Sequence, residues 1–227
     1  MKLQRTLGAG AIAGLVLVGV PSMASADDVS RTGSYTVPAG RTIEGDLTVS
    51  GGTITIDGTV KGDVRQVGAG AVVIGSRGLV EGDVDETGTG DIAVKGTVKG
   101  NVTERAGGQA RVHSGARVDG NLTETGAGNA SVRGTVDGNV IERDGGDADI
   151  RGTVDGNITE SGAGGAQLRG RVNGNVTESG SGHLSLFGTT RIDGNAYEKD
   201  AGNMYRYKGA RVGGDISEGG SGSRINR

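Results

Sequence analysis

Past residue 40 the chain alternates short apolar and polar positions in a pattern that returns every 17 to 20 residues. The dipeptide Gly-Asp or Gly-Asn marks the period, at Gly45, Gly62, Gly82, Gly100, Gly120, Gly138, Gly156, Gly174, Gly194 and Gly214. The unit reads G-T-V-x-G-N-V-T-E-x-G-x-G-x-A-x-V-x, most cleanly from Gly152 to Arg169. It contains three short strand-like pieces, Thr-Val-x, Val-Thr-Glu and Ala-x-Val-x, separated by glycine-rich corners. Apolar residues do not recur at 3.6 spacing in this part of the chain, so no helix is predicted there.

A unit of three such pieces leaves a bare apolar face and cannot fold alone; stacked on its neighbours it buries one. The residues after the first Thr form a column: Val60, Val80, Val98, Val118, Val136, Val154, Val172, Ile192 and Val212. A second column runs Val64, Val84, Val102, Leu122, Val140, Ile158 and Val176, and a third Val94, Val112, Val132, Ile150, Leu168 and Leu186. Three columns of mostly β-branched side chains suit a narrow triangular interior. The predicted fold is all-β: a parallel β-solenoid (β-helix) of about ten coils of 18–20 residues, with about 4.8 Å between coils. Right-handed winding is expected, because parallel crossovers are right-handed in the great majority of cases.

The repeat divides the chain. Residues 41–218 are the solenoid, 27–40 an N-terminal segment or cap with Tyr35 or Val37 over the first coil, and 219–227 a flexible tail. Tyr197, Met204, Tyr205 and Tyr207 are bulky enough to cap the last coils. Residues 1–26 read as a signal peptide: Lys2 and Arg5, an apolar or Gly/Ala run from Leu7 to Val20, Pro21, and the small-residue site Ala24-Ser25-Ala26. That run is shorter than the ~20 residues that span a bilayer. Cleavage after Ala26 starts the mature chain at Asp27 with no membrane span. The expected location is secreted or periplasmic.

Composition narrows the function. The chain has 48 Gly, no Cys, no Trp and one Phe, so stability has to come from stacking and no disulfide contributes. Loss of Lys2 and Arg5 takes the formal net charge from −3 to −5, since residues 1–26 hold no acid. That balance argues against nucleic-acid binding, which needs a basic footprint.

Catalytic and cofactor signatures are missing from the sequence. His113 and His183 are about four coils apart and cannot share a metal or a triad. No G-x-S-x-G or H-E-x-x-H occurs, and no catalytic residue, cofactor site or metal site is assigned. One column carries charge: Glu86, Glu104, Glu124, Glu142, Glu160, Glu178, Glu198 and Glu218. It reads either as a solvated edge left by repeat duplication or as a cation- or surface-binding stripe, with Arg105, Arg143 and Lys199 placed to relieve repulsion. A basic stripe is read at Lys95, Arg133, Arg151, Arg169 and Lys208. Asn101, Asn121, Asn139, Asn157, Asn175 and Asn195 are expected at tight corners with their amides stacked along the axis.

The runs Thr42-Ile-Glu-Gly-Asp-Leu and Gly58-Thr-Val-Lys-Gly-Asp-Val resemble the bactofilins and related polymer-forming cytoskeletal proteins. The resemblance covers roughly 41–218, in a variant that carries an export signal. It implies a right-handed parallel β-helix and end-to-end assembly. The function expected is that of a secreted, non-enzymatic structural or scaffold protein, with self-association or polymer formation left open. Its partners would be further copies, as a homo-oligomer or filament, and cell-surface or envelope components. The alternative is an ice- or surface-binding β-solenoid, drawn from the partial ladder Thr103, Thr123, Thr159 and Thr177, which Ile141 and Tyr197 interrupt.

Overall fold

The computed structural model describes residues 27–227, and the segment 1–26 that reads as a signal peptide lies outside the described residues. Short strands wind into three parallel sheets of 11, 11 and 10 strands, with no helix among the described residues. Each coil gives one strand to each sheet, as in Val102–Ala106, Ala110–Val112 and Arg117–Val118. Every strand pairs with its equivalent one coil away, so identical positions stack: Val84, Val102, Leu122, Val140 and Ile158 follow one another in register. Ten intervals at about 4.8 Å make a rod on the order of 48 Å long.

The core lies where the alternation places it. All three predicted columns point inward, and Val136, Val154 and Val172 are fully buried. A further apolar column opens the second sheet, from Ile54, Val72 and Ile92 to Ala148, Ala166 and Leu184. The alanine-bearing piece of the unit therefore contributes two inward positions instead of one.

The solenoid is longer than the Gly-Asp count implies. Val29–Thr32 and Tyr35–Val37 pair with Leu47–Ser50 and Ile54–Ile56, so residues 27–40 are a coil in their own right. Asp28 fills the marker position there: its Oδ1 accepts from the Asp46 backbone N–H at 2.9 Å. The missing glycine hid this coil. At the other end Arg224–Asn226 pairs with Met204–Arg206, so part of the expected tail is a strand. The tyrosines do not cap the rod. Met204 is buried in the core, while Tyr197, Tyr205 and Tyr207 are half-buried on outer faces, because they alternate with inward neighbours.

The corners are held by side chains that stand in for missing backbone partners. Asn121 Oδ1 accepts from the Asn139 backbone N–H at 2.8 Å and from Asn139 Nδ2 at 3.0 Å. The same contact repeats from Asn101 to Asn157 and begins on aspartates, with Asp83 Oδ1 accepting from the Asn101 backbone N–H at 2.7 Å. The Asn ladder is therefore structural, and it extends through Asp46, Asp63 and Asp83. A parallel ladder at the next corner uses Asp91, Asn129 and Asp147, and in one coil His183, whose Nδ1 accepts from the Asn203 N–H at 3.0 Å. His183 is thus a corner acceptor.

Burial of the Val column gives a direct test of strand phase. Val154→Asp places a carboxylate between Val136 and Val172 with no partner and is expected to cost several kcal/mol, on the order of 3 or more. Thr153→Asp points outward beside Arg171 and should change stability by less than about 0.5 kcal/mol. Thermal melting of the two variants distinguishes them, and equal melting temperatures would contradict the phase.

Candidate functional site

The charged column is the unusual part of the molecule, and it is inside. The third residue of the first-sheet strands from Val84–Gly88 onward carries it, and alternation from the apolar residue two positions earlier turns that position inward. Glu86, Glu104, Glu124, Glu142, Glu160 and Glu178 are fully buried, and Glu198 is 1 % exposed. Only Glu218, in the last coil, is half-exposed. The register is direct, with Glu86, Glu104, Glu124 and Glu142 paired coil to coil.

This corrects the reading of Glu86, Glu104, Glu124, Glu142, Glu160, Glu178, Glu198 and Glu218 as a solvated edge. A stripe that meets a cation or a surface from solvent needs outward carboxylates, and seven of these eight face the core. Among the described residues no group of three or more His, Cys, Asp or Glu is placed to hold a metal ion. Arg105, Arg143 and Lys199 do not relieve the column either. They are exposed on the far side of the strand, and Arg105 instead bonds Asp85 at 2.6 Å.

What holds a carboxyl in that position is a glycine four residues on. Gly108 N–H donates to Glu104 Oε1 at 2.8 Å, Gly128 to Glu124 at 3.1 Å, Gly146 to Glu142 at 2.8 Å and Gly202 to Glu198 at 3.1 Å. The glycine is required for space: a methyl on Gly146 would overlap the Gly128 carbonyl oxygen of the coil below. The spacing E-x-x-x-G holds for all eight glutamates, from Glu86/Gly90 to Glu218/Gly222. It was the signal that could have marked the column as buried.

The second oxygen has no such partner. Oε2 of Glu86, Glu104, Glu124, Glu142 and Glu198, and both oxygens of Glu160 and Glu178, are buried without a hydrogen bond. Each carboxyl lies within hydrogen-bonding reach of its neighbour in the next coil. A protonated carboxyl supplies the missing donor, so a neutral column satisfies itself along the axis as the amide ladder does. Gln66 continues the column one coil further, its Nε2 donating to Gly52 O at 3.3 Å. Its buried Oε1 is another acceptor without a partner.

Electrostatics agree with that reading. Burial pushes Glu86, Glu104, Glu124 and Glu178 up to about 7, opposed at Glu86 and Glu104 by the glycine N–H bonds. Glu160, which has no backbone donor, is pushed by burial and by Glu178 and Glu142 up to about 10. Burial also raises Glu142, against the pull of the Gly146 N–H. The dominant cause is loss of water, followed by hydrogen bonding to, and repulsion from, the neighbouring carboxyls.

The outer faces carry the remaining predicted features. Lys95, Arg133, Arg151 and Arg169 do form one column, joined by His113. Lys208 steps out of it: the positions after Arg169 are Phe187, Tyr207 and Arg227. Arg169 lies 3.7 Å from the Phe187 ring centroid, and Phe187 stacks on Tyr207 at 4.9 Å and 7°. His113 is lowered by burial and then by Lys95, Arg133 and Arg111, so it is neutral at physiological pH. Thr103, Thr123, Thr159 and Thr177 share one outward column, broken by Ile141 and Tyr197 as expected from the sequence.

The raised carboxyls set a pH dependence. Their folded-state values lie above the unfolded value of 4.5, so the stability they confer is fully present below about 4.5 and is lost as pH rises through about 7. The melting temperature is expected to fall between pH 5 and pH 8, and Glu160→Gln to raise it at pH 8 and flatten the slope. A higher melting temperature at pH 8 than at pH 5 would contradict the neutral column.

No solved structure matches the chain. A 64-residue stretch is 42% identical to the anti-sigma-W factor RsiW of Geobacillus kaustophilus (strain HTA426), covering 27% of this chain and 31% of that protein. The chain thus spans under a third of that relative's length. Residues 35–125 match the family model of the bactofilins, described as polymer-forming cytoskeletal.

Proposed function

We propose that this protein is an exported structural rod that assembles end to end into polymers. The observation that carries the reading is the state of the terminal coils. The strands Val29–Thr32, Tyr35–Val37 and Thr42–Ile43 at one end each have a single strand neighbour among the described residues. So do Arg211–Val212, Ile216–Glu218 and Arg224–Asn226 at the other. Unpaired edges of this kind are templates for a further chain. Val29 and Tyr35 at the first end, and Val212 and Ile216 at the last, are only partly buried against the core. Joining two different ends is a head-to-tail contact, which propagates without closing. The bactofilin match over residues 35–125 supports a polymer-forming role of a structural, non-catalytic kind.

Electron microscopy of the purified protein tests assembly, with filaments one rod wide as the expected result. Val212→Asp with Ile216→Asp places two carboxylates on one end. The double variant should give single rods with unchanged β-sheet circular dichroism. Filaments of undiminished length from that variant would rule out this end as the joint.

Export rests on Lys2, Arg5, the apolar run to Val20 and Ala24-Ser25-Ala26. Cleavage after Ala26 would leave the first coil whole, since its pairing begins at Asp28. N-terminal sequencing of secreted material is expected to read Asp27 first; a product retaining Met1 would overturn both the cleavage site and the location.

A further inference from the structure

The outward column of the third sheet changes character toward its end. Through most of the rod it is neutral, as at Thr59, Leu79, Thr97, Thr135 and Thr153. In three successive coils it becomes Arg171, Arg191 and Arg211, paired directly in register. Arg206 approaches from the second sheet, its Nη2 donating to Ala210 O at 2.9 Å. The four guanidiniums bound one groove of about 490 Å³, whose single acidic wall is Asp193.

Like charges stacked at about 4.8 Å repel unless something neutralises them. Elsewhere in the column that has happened: Arg117 bonds both Asp119 and Asp137. In the groove only Arg171 has a carboxylate partner, Asp193. Arg191 gives Nη1 to backbone oxygens, Thr190 O at 2.7 Å and Gly209 O at 3.0 Å, which fixes the guanidinium while leaving its other nitrogens available. Among the described residues Arg211 has neither a salt bridge nor a side-chain hydrogen bond, in a chain whose formal net charge is −3. A cluster of forked donors, pre-oriented and short of anions, is the arrangement that captures carboxylate or phosphate groups.

We infer that the groove bounded by Arg171, Arg191, Arg206 and Arg211 binds a linear acidic polysaccharide whose carboxylates lie along the stacked arginines. The three stacked arginines span about two coil spacings, roughly 10 Å, which is more than a single small anion bridges. An extended uronate chain carries one carboxylate per sugar ring on alternating sides, so those on one face recur about every second ring, close to the span from Arg171 to Arg211. Single-stranded nucleic acid fits less well, because it is held by bases stacked on open aromatic faces. Here Phe187 and Tyr207 stack on each other, Arg169 covers Phe187, and Tyr205 lies between His183 and Arg227. The site is separate from the buried carboxyl column and borders the proposed joint, because Arg211 and Val212 belong to the last coil.

The test is titration calorimetry of the full chain at low salt with oligogalacturonate, alongside neutral dextran, inorganic phosphate and single-stranded DNA. Oligogalacturonate is expected to bind, with affinity falling at least tenfold from 50 to 300 mM salt. Arg191→Gln with Arg211→Gln should weaken it at least tenfold with unchanged circular dichroism, and Arg65→Gln, on another face, should leave it unaltered. Several results would overturn the inference: no oligogalacturonate binding, or equal binding of dextran; phosphate as strong as the oligomer; DNA stronger; or equal loss in Arg65→Gln. If the double variant misfolds, Arg211→Lys gives the answer. It keeps the charge but loses the fork, and should weaken binding by a smaller factor.

Discussion

Everything in this molecule follows from in-register stacking at one coil per step. A residue type that recurs once per repeat becomes a continuous line of the same side chain, each copy about 4.8 Å from the next. The fold therefore selects residues by how they interact with themselves. Valine and isoleucine pack against their own kind, as Val136, Val154 and Val172 do. Asparagine both donates and accepts, so Asn101 to Asn157 form an unbroken amide ladder. Glycine is needed where one backbone lies directly over another, as at Gly128 and Gly146.

Glutamate satisfies the same criterion only when protonated. As a carboxylate it is acceptor-only and cannot serve its neighbour; as a carboxylic acid it donates and accepts. The unpartnered oxygens of Glu104, Glu124 and Glu160 and the upward push that burial gives those groups are two expressions of one fact. Among the described residues no basic side chain is buried in the interior, so protonation is the route to neutrality there. The column thus exchanges hydrophobic packing for a hydrogen-bonded line whose integrity depends on pH. Arginine has no comparable route. It cannot lose its proton, and stacked arginines on the surface call for an outside anion.

The ends follow from the same rule. A solenoid satisfies its strands only between coils, so among the described residues the first and last coils keep unpaired edges and partly buried Val29, Tyr35, Val212 and Ile216. The broad tyrosine-bearing positions do not help, since alternation sends Tyr197, Tyr205 and Tyr207 to outer faces.

The sequence by itself determined the coil, its three parallel strands and the main Val and Ile columns, because a side-chain period of two inside a repeat of about 18 leaves few other foldings. It also determined the corner asparagines, whose amides bond their own equivalents one coil away. It did not reveal the coil at 27–40, where Asp28 lacks its glycine, or the strand at Arg224–Asn226, which is defined by its pairing with Met204–Arg206. Above all it left the side on which the glutamates lie undecided, because charge argued for solvent and alternation argued for the core. Tertiary structure settled that conflict. Burying Glu142 is tolerable only when the Gly146 N–H, the adjacent coils and Glu124 and Glu160 are already in place around it, and none of those contacts exists in a single repeat. The arginine groove has the same origin: Arg171, Arg191, Arg206 and Arg211 are separated along the chain and become neighbours only when the coils stack.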